Sequence, residues 1–221
     1  MDKRYIRNIG AVSEEEQESL HNKCALVVGL GGLGGYVVEF LARMGVGEIR
    51  LCDKDSFEES NLNRQINARI STLGRRKAQV AAERVGDVNP DVRTVVFDEA
   101  FTAKNAAKML AGADVVIDAL DNIPSRLLLE KTASEANVPL VFGSVSHWCG
   151  QTTTIYPGAF KLKKLFKGVD QTPPPVLPFS VAAVAVFQSA EAVKVLLGKP
   201  ELKDKMLLIH LDTHEMLTVD F

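Results

Sequence analysis

The sequence predicts an α/β chain built on a doubly wound, mostly parallel sheet, with antiparallel strands toward its C-terminal end. Three observations carry that expectation. Short apolar runs at residues 24–28, 114–118 (an acid at each end) and 139–143 suit strands covered on both faces. Helical stretches alternate with them, and Gly29-Leu30-Gly31-Gly32-Leu33-Gly34-Gly35 joins the first run to a helix. Beyond residue 143 the pattern changes to a threonine-rich segment of antiparallel type and a closing hairpin.

The elements follow in order. Ser13-Glu14-Glu15-Glu16 is a capping box that opens a helix over 14–22. A strand over 24–28 runs into the glycines, and a helix over 36–44 stops at Gly45-Val46-Gly47. A second strand, 48–52, closes on Asp53. Strand, glycine loop, helix and strand in about 30 residues form a βαβ unit, so the sheet is Rossmann-like. A helix over 75–86 ends before Asn89-Pro90, a strand spans 92–97, and Thr102 is placed to cap a helix ending at Gly112. Strand 114–118, helix 124–137, strand 139–143 and a strand over 150–156 come next. Residues 159–178 are rich in lysine and proline, including Pro173-Pro174-Pro175, which argues against helix and central strand and predicts a mobile crossover loop. Ser180 is placed to cap a helix over 181–197, closed by Gly198; its first half is apolar nearly all round, as for a core or a subunit interface. Runs at 206–210 and 216–219 form the hairpin. No repeat or linker divides the chain, so residues 1–221 are expected to be a single domain.

Composition bounds the function. Hydrophobic residues make up 46% of the 221 and charged residues 24%, enough for a sizeable core. With 26 basic against 28 acidic residues the net charge is −2, which argues against a nucleic-acid or membrane-surface partner. Cys24, Cys52 and Cys149 lie far apart, which excludes a disulfide scaffold or a four-cysteine zinc site and suits a reducing compartment. The longest apolar stretch, 181–187, is too short to span a bilayer, and residues 1–7 have no apolar signal core. A cytoplasmic location is expected.

Gly29-x-Gly31-x-x-Gly34 follows a strand and opens a helix, the context in which backbone amides meet a phosphate. Asp53 stands where an acid bonds ribose hydroxyls. The glycines alone fit NAD, FAD, S-adenosylmethionine or ATP, and they also fit tight strand–helix packing. The stretch from Asp53 to Gln65 discriminates better. A dehydrogenase has no obvious use for Asn61 and Arg64 there, followed by Lys77; cleavage of ATP needs cations already aimed at the phosphates. On spacing alone, each cation reads more readily as a solvated surface charge. Asp118-Ala119-Leu120-Asp121-Asn122 ends the third buried strand, where a carboxylate can hold Mg²⁺ between phosphates, while Asp118 and Asn122 also suit helix or turn caps. Cys149, two residues from His147, reads as a packing cysteine or a Cys–His nucleophile. Cys24 and Cys52 read as packing, and the four histidines share no metal-ligand spacing. Trp148 suits packing, or a surface facing a lid or partner.

The ordered set Arg4-Tyr5-x-Arg7, Gly29-x-Gly31-Gly32-x-Gly34, Asp53-x-Asp55, Ser60-Asn61-Leu62-Asn63-Arg64-Gln65, Gly74-x-x-Lys77, Asn89-Pro90, Asp118-x-x-Asp121-Asn122-x-x-x-Arg126 and Gly150-Gln151 closely resembles the ubiquitin-activating-enzyme-like superfamily. Its nearest branch is the MoeB/ThiF/HesA group of sulfur-carrier adenylyltransferases. The resemblance implies Mg-ATP as cosubstrate and attack on its α-phosphate by the terminal glycine carboxylate of a ubiquitin-like carrier ending in Gly-Gly, releasing pyrophosphate. It implies that Gly29, Gly31, Gly32 and Gly34 cradle the nucleotide and that Asp53 holds the ribose. Asn61, Arg64 and Lys77 would hold phosphates, Asp121 would hold magnesium, and Arg7 would reach the partner site of a homodimer. Family members commonly carry two C-x-x-C pairs for zinc, after the Gly-Gln strand and near the C-terminus; this chain has neither, so no zinc is expected. The loop at 159–178 also lacks the cysteine that thioester-forming branches place in it, so chemistry is expected to stop at the adenylate. Rival readings are a non-catalytic carrier-docking subunit, a nicotinamide-dependent oxidoreductase, and adenylation of another acceptor such as a tRNA base or a peptide.

Overall fold

The computed structural model describes residues 2–170 and 172–221; Met1, and Gln171 inside the expected 159–178 loop, lie outside the described residues. Among the described residues, eight strands form one sheet: β1 (Cys24–Val28), β2 (Glu48–Cys52), β3 (Arg93–Phe97), β4 (Val115–Asp118), β5 (Leu140–Ser146), β6 (Cys149–Ile155), β7 (Lys205–His210) and β8 (Glu215–Asp220). Their order is β3-β2-β1-β4-β5-β6-β7-β8. The first five pair in parallel, and β6, β7 and β8 are added antiparallel. The strand order reverses between β1 and β4, which opens a crevice at their carboxyl ends.

Among the described residues, seven α-helices complete the fold: α1 (Glu14–Leu20), α2 (Gly32–Met44), α3 (Lys77–Val88), α4 (Ala106–Leu110), α5 (Ile123–Glu135), α6 (Leu162–Leu165) and α7 (Pro178–Leu196). Every residue of β1 is buried because both of its faces are covered. Val27, Ile49, Leu51 and Ile117 join Leu41 of α2, Val85 of α3 and Val184 of α7 in one core. Leu26, Val28, Val116 and Phe142 join Met109 of α4, Leu129 of α5 and Leu162 of α6 in the other. Alternate side chains of the same strands therefore serve opposite layers.

The capping box at Ser13 and Glu16 forms as expected. Four expectations are corrected. α2 begins at Gly32 rather than residue 36, so the glycines form its first turn. Thr102 caps no helix: α4 starts at Ala106, and the Asn105 side chain accepts the Thr102 N–H at 2.8 Å. Ser180 is not the cap of α7, which starts at Pro178, where the missing N–H costs nothing; Ser180 Oγ donates to the His147 carbonyl. The crossover also contains a helix, α6, because Glu130 of α5 accepts the N–H groups of Lys161 and Leu162 at 2.6 and 2.9 Å and Leu162 is buried. Burial pushes the Glu130 carboxyl above its usual range, opposed by those two bonds.

By length and mean hydropathy, α7 could cross a membrane, but it packs between α2 and strands β4–β6. Its polar side chains are anchored inside the fold. Gln188 donates to the Asp118 and Val141 carbonyls, and Glu191 accepts from Thr154 Oγ1 and the N–H groups of Glu201 and Leu202. Phe179 and Val186 remain exposed, as do Met216, Leu217 and Val219 of the edge strand β8.

At the two places where the resemblance puts paired cysteines, Lys161 makes a different link. Its ammonium donates to Asp204 at 3.0 Å and to the Phe221 carbonyl, and lies over the Phe221 ring. The segment after β6 is thereby tied to the residue after β8 by charge.

Gly34 packs α2 onto β1: a Cβ there would lie 1.8 Å from the Gly29 carbonyl oxygen. Gly34→Ala is expected to lower stability by about 1–3 kcal/mol through overpacking, as read from the urea unfolding midpoint.

Candidate active site

The glycine turn starts at Gly29, whose φ is +92° and whose N–H donates to the Cys52 carbonyl at 2.9 Å. A Cβ at Gly29 would lie 2.5 Å from the Ala119 carbonyl oxygen, so glycine lets β1 turn against the chain leaving β4. Gly29 and Gly34 thus serve packing, one of the two roles the sequence left open. Gly31 is the N-cap of α2 and supplies no side-chain bond. The first amides of α2 therefore remain available to an anion, and the helix dipole favours one.

Asp53 fastens this turn from β2. One carboxylate oxygen accepts the Leu30 N–H at 2.7 Å and the other accepts the Asp55 N–H at 2.8 Å. Burial, the largest influence, pushes its pKa up; the two backbone bonds and the charge of Lys77 oppose it. The Ser56–Arg76 bridge and the bonds between Phe57 and residues 74 and 75 fold the following loop back on itself. That fold delivers Lys77, the first residue of α3, to the loop after β2. Its N–H donates to the Asp55 carbonyl at 2.9 Å, and its ammonium lies 3.8 Å from the Asp55 carboxylate. Lys77 is only 7% exposed, so the solvated-charge alternative fails for this residue.

Asn61 is buried and closes its own turn: its side-chain carbonyl accepts the Glu58 N–H at 3.1 Å, and its amide donates to Ser60 Oγ at 3.3 Å. The turn carries residues 64–67 over the start of α2. The Arg64 Cγ lies 3.9 Å from where a Gly32 Cβ would sit, and its guanidinium donates to the Ser60 carbonyl and Asn63. Gln65 lies over Gly31, at 3.4 Å from a Cβ built there. Its buried Oε1 has no hydrogen-bond partner among the described residues, nor has the buried Nδ2 of Asn67. These two amides were not singled out from the sequence; Gln65 had a signal in its place within the Asn63-Arg64-Gln65 run.

Across the crevice, the loop leaving β4 runs beside the glycine turn, with the Ala119 N–H donating to the Val28 carbonyl at 3.0 Å. Asp121 is exposed there, and its carboxylate accepts the Asn122 amide at 3.2 Å. Asn122 caps α5 through Ser125 N–H, the capping alternative the sequence allowed. Asp118 is fully buried; one oxygen accepts the Leu120 N–H at 3.0 Å, and the other has no hydrogen-bond partner among the described residues. Arg126 lies 3.6 Å from it, donates to the carbonyls of Gly143 and Leu120, and stacks over Phe142. Burial, the largest influence, raises the Asp118 pKa, while Arg126 and the Leu120 bond oppose it.

Arg7 is not brought to this site by its own chain. It is exposed on a 3-10 helix, Lys3–Asn8, whose Tyr5 packs against Gly45 at the far end of α2. The 13 residues of α2 separate the two ends by about 20 Å, more than one arginine side chain spans. Arg4 pairs with Asp2 and Asp91, and Asn89 donates to Tyr5 Oη and the Ala42 carbonyl, so these motif residues pin the N-terminal segment. The Cys149–His147 pairing is corrected. His147 Nδ1 meets Ser146 Oγ, and the histidine beside Cys149 is His210, with Nδ1 at 3.3 Å from Sγ. Cys149 is half-buried rather than buried, and Trp148 stacks on Phe179 at 4.8 Å.

Removing the guanidinium should expose the cost of the buried Asp118. Arg126→Met is expected to destabilise the protein at pH 7 by about 3–5 kcal/mol, and Arg126→Met/Asp118→Asn by less, both by urea titration. The raised folded pKa of Asp118 adds a sign: its favourable contribution is complete below its ordinary value of 3.8 and is lost as pH rises through the folded value. Asp118→Asn alone should flatten the fall in stability over that interval.

The sequence pattern of the ThiF family matches residues 5–220. The chain is 36% identical over 219 residues to the SAMP-activating enzyme E1 of Haloferax volcanii, covering 94% of this chain and 80% of that protein. It is 34% identical over 236 residues to the sulfur carrier protein adenylyltransferase of Thermus thermophilus, covering 99% and 84%. Among solved structures, Escherichia coli MccB with ATP superposes with a TM-score of 0.85 at 21% identity, covering 100% of this chain and 71% of that one, a likeness of fold. By the match along nearly its whole length, the chain belongs to the ThiF family and is an adenylyltransferase.

Proposed function

We propose that the protein activates the C-terminal glycine carboxylate of a ubiquitin-like sulfur-carrier protein ending in Gly-Gly. The carboxylate oxygen attacks the α-phosphate of ATP, the bond to the bridging oxygen breaks, and the products are an acyl-adenylate and pyrophosphate. The pathway served is sulfur transfer of the molybdopterin or thiamine type. One observation carries this reading: the uncapped start of α2, the Arg64 stem and the Gln65 amide converge on one turn, fastened through Asp53 to the loop that holds Lys77. A dehydrogenase or a docking subunit has no use for so complete a set of phosphate-directed groups. The names of the Haloferax and Thermus relatives support a carrier protein as the acceptor.

In this reading Gly29, Gly31, Gly32 and Gly34 shape the nucleotide cradle, Asp53 meets the ribose, and Asn61, Arg64 and Lys77 meet the phosphates. The donor set at the β4 exit fits Mg²⁺, a hard cation that keeps one or two carboxylates and the substrate's phosphate oxygens. Asp121 would hold it, and when bound it neutralises phosphate charge. Arg7 acts from the second subunit of a homodimer, consistent with its distance from the glycine turn in its own chain. No zinc of the paired-cysteine type is involved, and the cytoplasm suits a chain with three free thiols.

ATP–pyrophosphate exchange with Mg²⁺ and a panel of Gly-Gly-ended carriers tests the reading. Exchange is expected only with a matching carrier and is lost when its terminal glycine is removed. Binding of Mg-ATP without exchange for any carrier supports adenylation of another acceptor, or the docking-subunit reading, instead. Lys77→Met is expected to slow exchange by about 10²–10³-fold with the fold intact by circular dichroism, and Asp121→Ala to abolish it.

Mixing Arg7→Ala with Asp121→Ala subunits is expected to restore part of the exchange, because one of the two sites in a mixed dimer is then intact. Verified mixed dimers without activity would remove Arg7 from the site.

A further inference from the structure

At the start of β6, three strands along the sheet from β1, the strand register sets Cys149 directly opposite His210 of β7. A Cβ on the next residue, Gly150, would meet Val184 of α7, so Cys149 and His210 project from the opposite face of the sheet. Their Sγ and Nδ1 lie 3.3 Å apart, and Asp212 follows in the turn to β8. One ligand atom from each of Cys149, His210 and Asp212 lies within 4.8 Å of the other two. Leu211 N–H donates to the Trp148 carbonyl at 3.0 Å, which locks the backbone of both strands at this level. No reading of chain spacing joins these residues, since 61 positions separate the first two.

A sulfur, an imidazole nitrogen and a carboxylate oxygen form a zinc-type donor set. In a tetrahedron with bonds of about 2.0–2.3 Å, ligand atoms sit about 3.5 Å apart. The cysteine–histidine pair already has that spacing, and Asp212 is exposed and able to rotate inward. We infer that Cys149, His210 and Asp212 form a binding site for a zinc-class divalent transition metal, with three protein ligands and a fourth position open to water or an exogenous ligand. This place differs from the paired-cysteine positions, which Lys161 links at the other end of β6. It also differs from the Asp121 loop. Metal bound there joins the β5–β6 turn to the β7–β8 turn. The first of these turns holds the crossover, since His147 N–H donates to the Pro175 carbonyl at 2.7 Å and its carbonyl accepts from Ser180.

The test is an optical titration of the reduced, chelator-stripped full chain with Co²⁺, in the absence of nucleotide. One equivalent should bind with a thiolate-to-cobalt charge-transfer band, and Zn²⁺ should displace it. Cys149→Ser should abolish the band, and His210→Ala and Asp212→Asn should each weaken binding by at least about tenfold. Asp121→Ala should leave the band intact, which separates this site from the nucleotide site. Asp212 is exposed, so Asp212→Asn keeps the test independent of folding. Absence of the band in the wild-type chain, or its survival in Cys149→Ser, overturns the inference and leaves a Cys149–His210 hydrogen bond alone.

Discussion

The end of β4 depends on one buried guanidinium. Arg126, on α5, reaches back beneath its own helix start to meet the Asp118 carboxylate and the carbonyls of Leu120 and Gly143. It thereby ties the end of one parallel strand, the loop that follows it and the neighbouring strand into one unit. From the opposite face of the sheet, Gln188 donates to the Asp118 and Val141 carbonyls, and Gly143 leaves the room it needs. A sheet normally separates its two helical layers; here side chains from both layers grip the same strand end. The crevice wall bearing Asp121 is shaped by this arrangement, together with Ala119 and Leu120, which pack against the two core layers.

The opposite wall is built by economy of a different kind. Asp53 spends both carboxylate oxygens on backbone amides, one on the glycine turn and one on its own loop. The same residue can still accept from a sugar, because each oxygen has a second lone pair. The four glycines divide their work. Gly29 and Gly34 admit close backbone approach, whereas Gly31 and Gly32 keep side chains off the first turn of α2, which leaves its amides to a ligand.

Much of this was legible in the sequence. The βαβ start, the two-faced strands and the antiparallel addition followed from apolar runs and glycine placement, because those patterns report local geometry directly. Lys77 and Arg64 were legible as residues but not as neighbours of the glycine turn; burial of the lysine depends on the loop folding back at Phe57 and Arg75. α6 was illegible because its cap, Glu130, sits on another helix. The Cys149–His210 pairing was hidden for the same reason: strand register, not spacing, creates it. Local pattern announces elements, and long-range pairing announces sites.

The anchoring of α7 has a mechanical consequence. Gln188 and Glu191 bolt the helix to the sheet at adjacent turns, and the ring of Pro178 restrains the backbone where it begins. α6 is bolted in turn by Glu130. Because His147 also holds the crossover at Pro175, any swing of the crossover must take up its torsional change between the end of α6 and Pro174. That segment is bounded by two fixed posts, α6 held by Glu130 on one side and Pro175 held by His147 on the other.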